Sequence, residues 1–338
     1  MNTFRRIFRL AGVSMMCAVL CHVLPACAQG GRATSAAPAP ASAVPVPAPT
    51  PTVSAPAPAA NANATPATLE EALAALQPLR EGPIDTSPYA LEVFYRNTFD
   101  APQTFDRESD FTGTDVSGRE IRTRQPLDEA EWIVEGDGGA TIRDGRLRVT
   151  SGRYLADGTI DYSQRSHLVV WNKHIFPADY MLDFVVNHGG SDNGLTLLFM
   201  SATGLDGESV FDAAQPLRKA MYPRYHSGRL KNYTVSYWSR NAQPLFEAVS
   251  NRVRRNPGMN ILCSGHSRTD ASSDKDYHIR ILKVGGTITV EVDGIVVCEG
   301  TDPQTPLQEG RVGLRTMEGV KEVSYDDFTV WKVTRKNP

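Results

Sequence analysis

No charge of one sign dominates this chain. Lys and Arg number 35 and Asp and Glu 38, leaving a net charge of −3 over 338 residues. That balance excludes the basic footprint of a nucleic-acid binder, so a partner has to be argued from a site. The common catalytic fingerprints are missing as well. There is no P-loop, no G-x-G-x-x-G, no H-E-x-x-H and no G-x-S-x-G. The E-x-D-x-x-E strand that carries both carboxylates of many sandwich glucanases is also absent. Glu291-Val292-Asp293 begins it, but Val296 stands where the last Glu is needed, and Asp293-Gly294 reads as a hairpin tip.

Cysteine is scarce where a domain could use it. Of five, Cys17, Cys21 and Cys27 lie near the N-terminus, which leaves Cys263 and Cys298. Neither has the C-x-x-C context of a metal or redox site. They read either as two buried thiols on neighbouring strands or, in an oxidising compartment, as a disulfide. A long apolar run is lacking too. The stretch from Leu10 to Leu24 is too short for a comfortable membrane span and follows Arg5, Arg6 and Arg9. It reads as an export signal over residues 1–28. Ala26-Cys27-Ala28 fits a cleavage site with Gln29 as the mature start. Leu24-Pro25-Ala26-Cys27 alternatively reads as a lipoprotein box, and a lipidated Cys27 is the one route to membrane attachment. The expected location is outside the cytoplasm: periplasmic, anchored to the outer membrane, or extracellular.

Residues 29–67 are almost wholly Ala, Pro, Ser, Thr and Val, as in APAPASAVPVPAPTPTVSAPAPAA. Proline fixes φ and removes donors, so this is an extended, disordered tether. Residues 68–90 form a short lead-in. LEEALAALQPL has leucines at helical spacing, which predicts a helix over Leu69–Leu79 ended by Pro78. From residue 91 to 338 the pattern is of short strands. KNYTVSYWSR alternates Tyr233, Val235 and Tyr237 on one face with Thr234, Ser236 and Trp238 on the other. YHIRILKVGGTITVEVDGIVVCEG holds two hairpins, at Gly285-Gly286 and Asp293-Gly294. Many strands, frequent turn signals and few helical periods predict an all-β jelly-roll sandwich. Its last strands, GRVGLRT and YDDFTVWKV, place Tyr325, Phe328, Val330 and Trp331 as packing residues.

Four stretches carry a family resemblance: LLFMSATGLDGESVFD, YPRYHSG with the SYWSRN strand, the RRNPG turn, and GRVGLRTMEGVKEVSYDDF. Together they resemble the YesU-like proteins, domain of unknown function family 1961, from about Leu91 to Val333. The resemblance implies a concanavalin A-like lectin/glucanase fold and an association with polysaccharide breakdown. It supplies no catalytic residues. The export signal and tether depart from the family pattern.

The densest polar and aromatic grouping lies in the same stretches. Sugars are held by aromatic faces and by Arg, Asn and His donors, and Arg also pairs with a uronate carboxylate. Tyr222, Arg224, Asn193, Arg240, Arg254, Arg255 and Glu208 are the candidates for substrate binding. His226, Tyr225, Tyr237 and His188 are the candidates for chemistry. β-Elimination at a uronate needs the carboxylate neutralised, a base at C5 and an acid at the leaving oxygen, and Arg, His and Tyr can supply all three. Retaining hydrolysis needs two carboxylates about 5 Å apart, for which Asp192, Glu208, Asp212 and Glu247 remain. Each candidate has a plain structural reading: His226 holding a loop, Tyr233 and Tyr237 in the core, Arg254 and Arg255 as a solvated rim. Asp206-Gly207-Glu208 offers oxygen ligands of the kind calcium takes, without the spacing of a known calcium loop. No metal or other cofactor is expected beyond that. The sequence leaves three readings open: a lyase on an acidic polysaccharide, a glycoside hydrolase, and a non-catalytic carbohydrate-binding module.

Overall fold

The computed structural model describes residues 69–104, 113–114, 120–121, 131–163, 165–190, 194–212, 215–216, 218–240, 250–269 and 273–337. The expected signal, the tether and Cys27 lie outside them, as do Asn193, Asp192 and Glu247. Among the described residues, no helix is long and apolar enough to cross a membrane.

Two antiparallel sheets face one another. The first has seven strands, ordered Asn260–His266, Ser250–Asn256, Leu230–Arg240, Gly194–Gly204, Arg311–Thr316, Leu168–Asn172 and Trp132–Gly136. The second has ten. Its main path runs Ile295–Thr301, Thr287–Val292, Asp276–Val284, Tyr180–Asn187, Glu322–Arg335, Arg146–Thr150 and Gly139–Arg143. Arg80–Glu81 and Gln103–Thr104 lie at its two ends, and Tyr89–Asn97 also pairs with Glu322–Arg335. Neighbours in space are far apart in sequence, as a jelly roll requires.

The alternation read from the sequence decides what fills the space between the sheets. Tyr233, Val235 and Tyr237 point inward, together with Val312 and Leu314, against Phe184, Tyr325, Phe328 and Val330 of the second sheet. All nine of these side chains are fully buried. Trp331 departs from the expectation. It follows Val330 by one residue, so the pleat turns it to the outer face, where it packs with Met181, Leu282 and Val333. The two expected hairpins form as read. Asp293 and Gly294 take φ values of 49° and 76°, the left-handed pair that a tight two-residue turn needs.

The lead-in helix is shorter than expected, ending at Ala74. Gln77 is claimed by the sandwich instead. Its backbone N–H donates to Ser264 O at 2.8 Å. Its side-chain amide donates to Glu299 O at 2.8 Å and accepts from Glu299 N–H at 2.9 Å. One residue thus hydrogen-bonds to both sheets at the edge where they meet. These are more bonds than the last turn of a six-residue helix could offer.

Candidate functional site

The outer face of the seven-stranded sheet divides into an apolar half and a polar half. The apolar half carries Ile133, Val169, Trp171, Leu195, Leu197 and Phe199. It is covered by Val210, Phe211, Ala220 and Tyr225, which lie between the strands Gly194–Gly204 and Leu230–Arg240 in sequence. Trp171 lies flat over Gly313, where a Cβ would come within 2.6 Å of its ring. A buried ion pair fastens the cover. Arg218 Nε donates to Glu135 Oε1 at 3.0 Å, and both side chains are buried. Trp171 Nε1 donates to Glu135 Oε2 at 2.7 Å, and Arg218 also donates to Val210 O at 2.9 Å. With these extra donors the pair is hydrogen-bonded as a buried charge must be.

Tyr225 belongs to this cover, not to the chemistry. Its ring stacks on Phe199 at 4.7 Å and lies 6.3 Å from Trp171, with no exposed surface. Burial and the nearby Glu135 charge push its phenol well above the ordinary value. Tyr237 is likewise removed from the candidates. It faces the inter-sheet core, where its hydroxyl meets that of Tyr325 at 2.8 Å. His188 is fully buried, 6.2 Å from the Tyr237 ring, and burial pushes its pKa down to about 3. A residue closed off from substrate is no catalyst, so all three expectations are corrected.

His226 ends the four-residue helix Pro223–His226 and is half-buried. Two bonds pin that helix to the sheet: Asn232 Nδ2 donates to Tyr225 O at 2.9 Å, and Gly258 N–H donates to His226 O at 2.9 Å. Asn232 is held in turn. Asn256 Nδ2 donates to Asn232 Oδ1 at 3.0 Å and to Thr234 Oγ1 at 2.7 Å. The His226 ring lies 4.6 Å from that of Tyr222, and its Nδ1 shares a 2.6 Å hydrogen bond with Ser227 Oγ. Burial lowers its pKa, and the Arg254 and Arg315 charges lower it further. At neutral pH the ring is therefore uncharged, the form a general base requires. In the tautomer whose Nδ1–H donates to Ser227, Nε2 carries the free lone pair.

The polar half lies beside it. Register places Asn232 opposite Asn256, Thr234 opposite Arg254 and Ser236 opposite Arg252, all on the outer face. Arg315 joins them from the next strands, its guanidinium 5.1 Å from the Tyr222 ring and donating to Ala220 O. Burial pushes Arg315 down to about 10, so it remains charged at neutral pH. Arg224 is exposed on the same short helix as His226. Arg252 and Arg254 are each 8% exposed and Arg315 1%, so these cations lie mostly beneath the surface beside the histidine, and Arg224 is the exposed one. Sequence reasoning missed Arg252, Arg315, Asn232, Thr234 and Asn256. The strand alternation at 230–240 was the signal that could have found Asn232 and Thr234; Asn256 lies on the neighbouring strand.

The other candidates go elsewhere. Arg255 sits one residue from Arg254 and so faces the opposite way. It pairs with Asp302 at 2.5 Å, the same carboxylate that accepts from Tyr233 at 2.7 Å. Glu208 and Arg255 both line a separate cavity of about 420 Å³, with Lys231, Leu307 and Arg311. The Glu208 carboxylate is committed to its own loop, accepting from Asp206 N–H at 2.9 Å and Gln215 Nε2 at 2.6 Å. Among the described residues, no three His, Cys, Asp or Glu side chains are grouped to hold a metal. Arg240 pairs by its backbone with Gly194, at the far end of its strand from the helix that carries His226.

The family described as a domain of unknown function (DUF1961) matches residues 121–330. The chain belongs to this family. The uncharacterized protein YesU of Bacillus subtilis (strain 168) is 26% identical over 219 residues, covering 63% of this chain and 94% of that one. A crystal structure from Bacillus subtilis, described as a protein of unknown function with a galectin-like fold, superposes with a TM-score of 0.57. It is 22% identical and covers 76% of this chain and 100% of its own. The concanavalin-like jelly roll expected from the sequence is thus the fold observed. The carbohydrate-binding module CBM66 of Bacillus subtilis superposes at a TM-score of only 0.38, with 14% identity over 60% of this chain and 95% of its own.

Proposed function

We propose that this protein is carbohydrate-active. In this reading it holds an acidic polysaccharide at the exposed Arg224 and the edge of Arg254, with Arg252 and Arg315 buried behind them, and cleaves it by β-elimination, with His226 as the base. The observation that carries the reading is the neutral, half-buried His226 beside those guanidiniums. A uronate carboxylate paired with arginine is neutralised, which acidifies its C5–H. Nε2 of His226 takes that proton and the C4–O bond breaks, leaving a C4–C5 double bond. The hydroxyls of both phenols on this face, Tyr222 and Tyr225, are buried. The imidazolium formed at His226 is therefore the group that returns the proton to the leaving oxygen. The proposed setting is outside the cytoplasm, as the leader suggests.

Binding without cleavage is a second reading. It is favoured by those same buried phenol hydroxyls, which leave one residue to serve as both base and acid. Hydrolysis has less behind it. Glu135, the carboxylate on this face, is locked to Arg218 and Trp171, and Glu208 to its own loop. Incubation with uronate-containing polymers separates the readings. New ultraviolet absorbance marks a lyase, reducing ends without absorbance mark a hydrolase, and retention without product marks a binder.

A further inference from the structure

Cys263 and Cys298 come from different sheets and meet inside one core cluster. Cys263 lies on Asn260–His266, the edge strand of the first sheet, and Cys298 on Ile295–Thr301 of the second. Each cysteine is followed two residues later by glycine: Cys263-Ser264-Gly265 and Cys298-Glu299-Gly300. The two glycines make the approach possible. A Cβ on Gly265 would strike Val297 O and lie 2.9 Å from the Cβ of Cys298. A Cβ on Gly300 would lie 2.5 Å from Leu262 O and 3.0 Å from the Cβ of Cys263. Gln77 then spans the outside of this junction, binding Ser264 on one strand and Glu299 on the other.

We propose that Cys263 and Cys298 are a disulfide site that staples the two sheets along this edge. The repeated Cys-x-Gly pattern lets the two strands cross closely, and the two thiols lie within hydrogen-bond reach of one another, the kind of approach a disulfide needs. Both thiols are free and buried in this structure. In that state the hydrogen bond with Cys263, together with burial, raises the Cys298 thiol well above its ordinary value. The thiolate, which is the reactive form, is suppressed once the edge closes. The bond therefore forms as the strands come together, by exchange with an oxidised dithiol or glutathione disulfide. One cysteine thiolate attacks the oxidant's disulfide and releases one thiol. The second thiolate attacks the mixed disulfide and releases the other. Two protein thiols are oxidised and one external disulfide is reduced to two thiols. The site is independent of the carbohydrate reading, since it lies in the core and not on the outer face.

The test uses the full chain with Cys17, Cys21 and Cys27 changed to Ser, so that this pair alone can react. The protein is denatured, reduced, refolded in a glutathione redox mixture and alkylated under denaturing conditions. The expected result is a Cys263–Cys298 peptide pair in the unreduced digest that separates on reduction. A thermal midpoint about 10 °C above that of the same chain with C263S and C298S added is expected, and dithiothreitol should abolish the difference. Circular dichroism of the Ser variant confirms that it folds. Two alkylated thiols after oxidative refolding would overturn the site. A linked pair with no change in midpoint would overturn the staple.

Discussion

The hydroxyls of Tyr237 and Tyr325, one from each sheet, share a 2.8 Å hydrogen bond in the middle of the sandwich. Neither has any exposed surface. Burial holds both phenols protonated far past neutrality. Replacing Tyr237 by Phe leaves the Tyr325 hydroxyl without this partner, so stability falls by about 1–2 kcal/mol. Turnover, if tyrosine chemistry is not involved, is unchanged. Denaturant melts and the product assay on Y237F check both halves of this expectation.

The cover over the apolar half depends on Glu135 and Arg218. Arg218→Ala leaves a carboxylate buried without its cation and costs about 3–5 kcal/mol. Glu135→Leu combined with Arg218→Met removes both charges and recovers most of that loss. Equilibrium unfolding of the single and double variants decides it. Equal losses in both would show that the pair matters only through packing.

The pH dependence of cleavage follows from His226. A base works in its neutral form. Its folded pKa in the free protein lies below the ordinary 6.5, so the acid limb of kcat/KM falls below that value. Arg254→Ala removes one of the charges holding it down. The acid limb then moves to higher pH, while KM rises because a carboxylate contact is lost. Rate profiles of wild type and R254A test the shift. A rise in KM with an unmoved limb would place Arg254 in binding alone.

A second pH effect belongs to stability. Burial alone would raise Asp183, but hydrogen bonds from His278 and Arg280 hold its carboxyl below the ordinary 3.8. The same bond raises His278 above 6.5. The Asp183 contribution is present above pH 3.8 and fades as pH drops through its folded value. The His278 contribution is full below pH 6.5 and fades as pH climbs through its raised value. The stability difference between wild type and Asp183→Asn is therefore greatest between those limits. Urea midpoints of the two proteins across pH 3–9 measure it.

The β-sandwich was legible because its cues are local. Alternation in KNYTVSYWSR and the Asp293-Gly294 turn each depend on a few neighbouring residues, and both form as read. The site was legible only in part, because function depends on which strands become neighbours. Tyr222, Arg224, His226 and Arg254 come together, whereas Arg255, one residue on, is turned by the pleat toward Asp302. Tyr225 shows the other difficulty. An aromatic residue in a polar motif suits a sugar platform equally well as an anchor, and only the Phe199 and Trp171 rings beneath it decide for the anchor. The Glu135–Arg218 pair joins residues 83 positions apart, with no spacing rule to announce it.

The most direct test of the account is the ultraviolet product assay on a panel of uronate-containing polysaccharides, with wild type beside His226→Ala. The account predicts absorbance from an unsaturated uronate with wild type. With the variant it predicts a loss of at least about 100-fold in kcat, with polymer binding retained. Product formed equally by both proteins, or by neither while both bind alike, would contradict it.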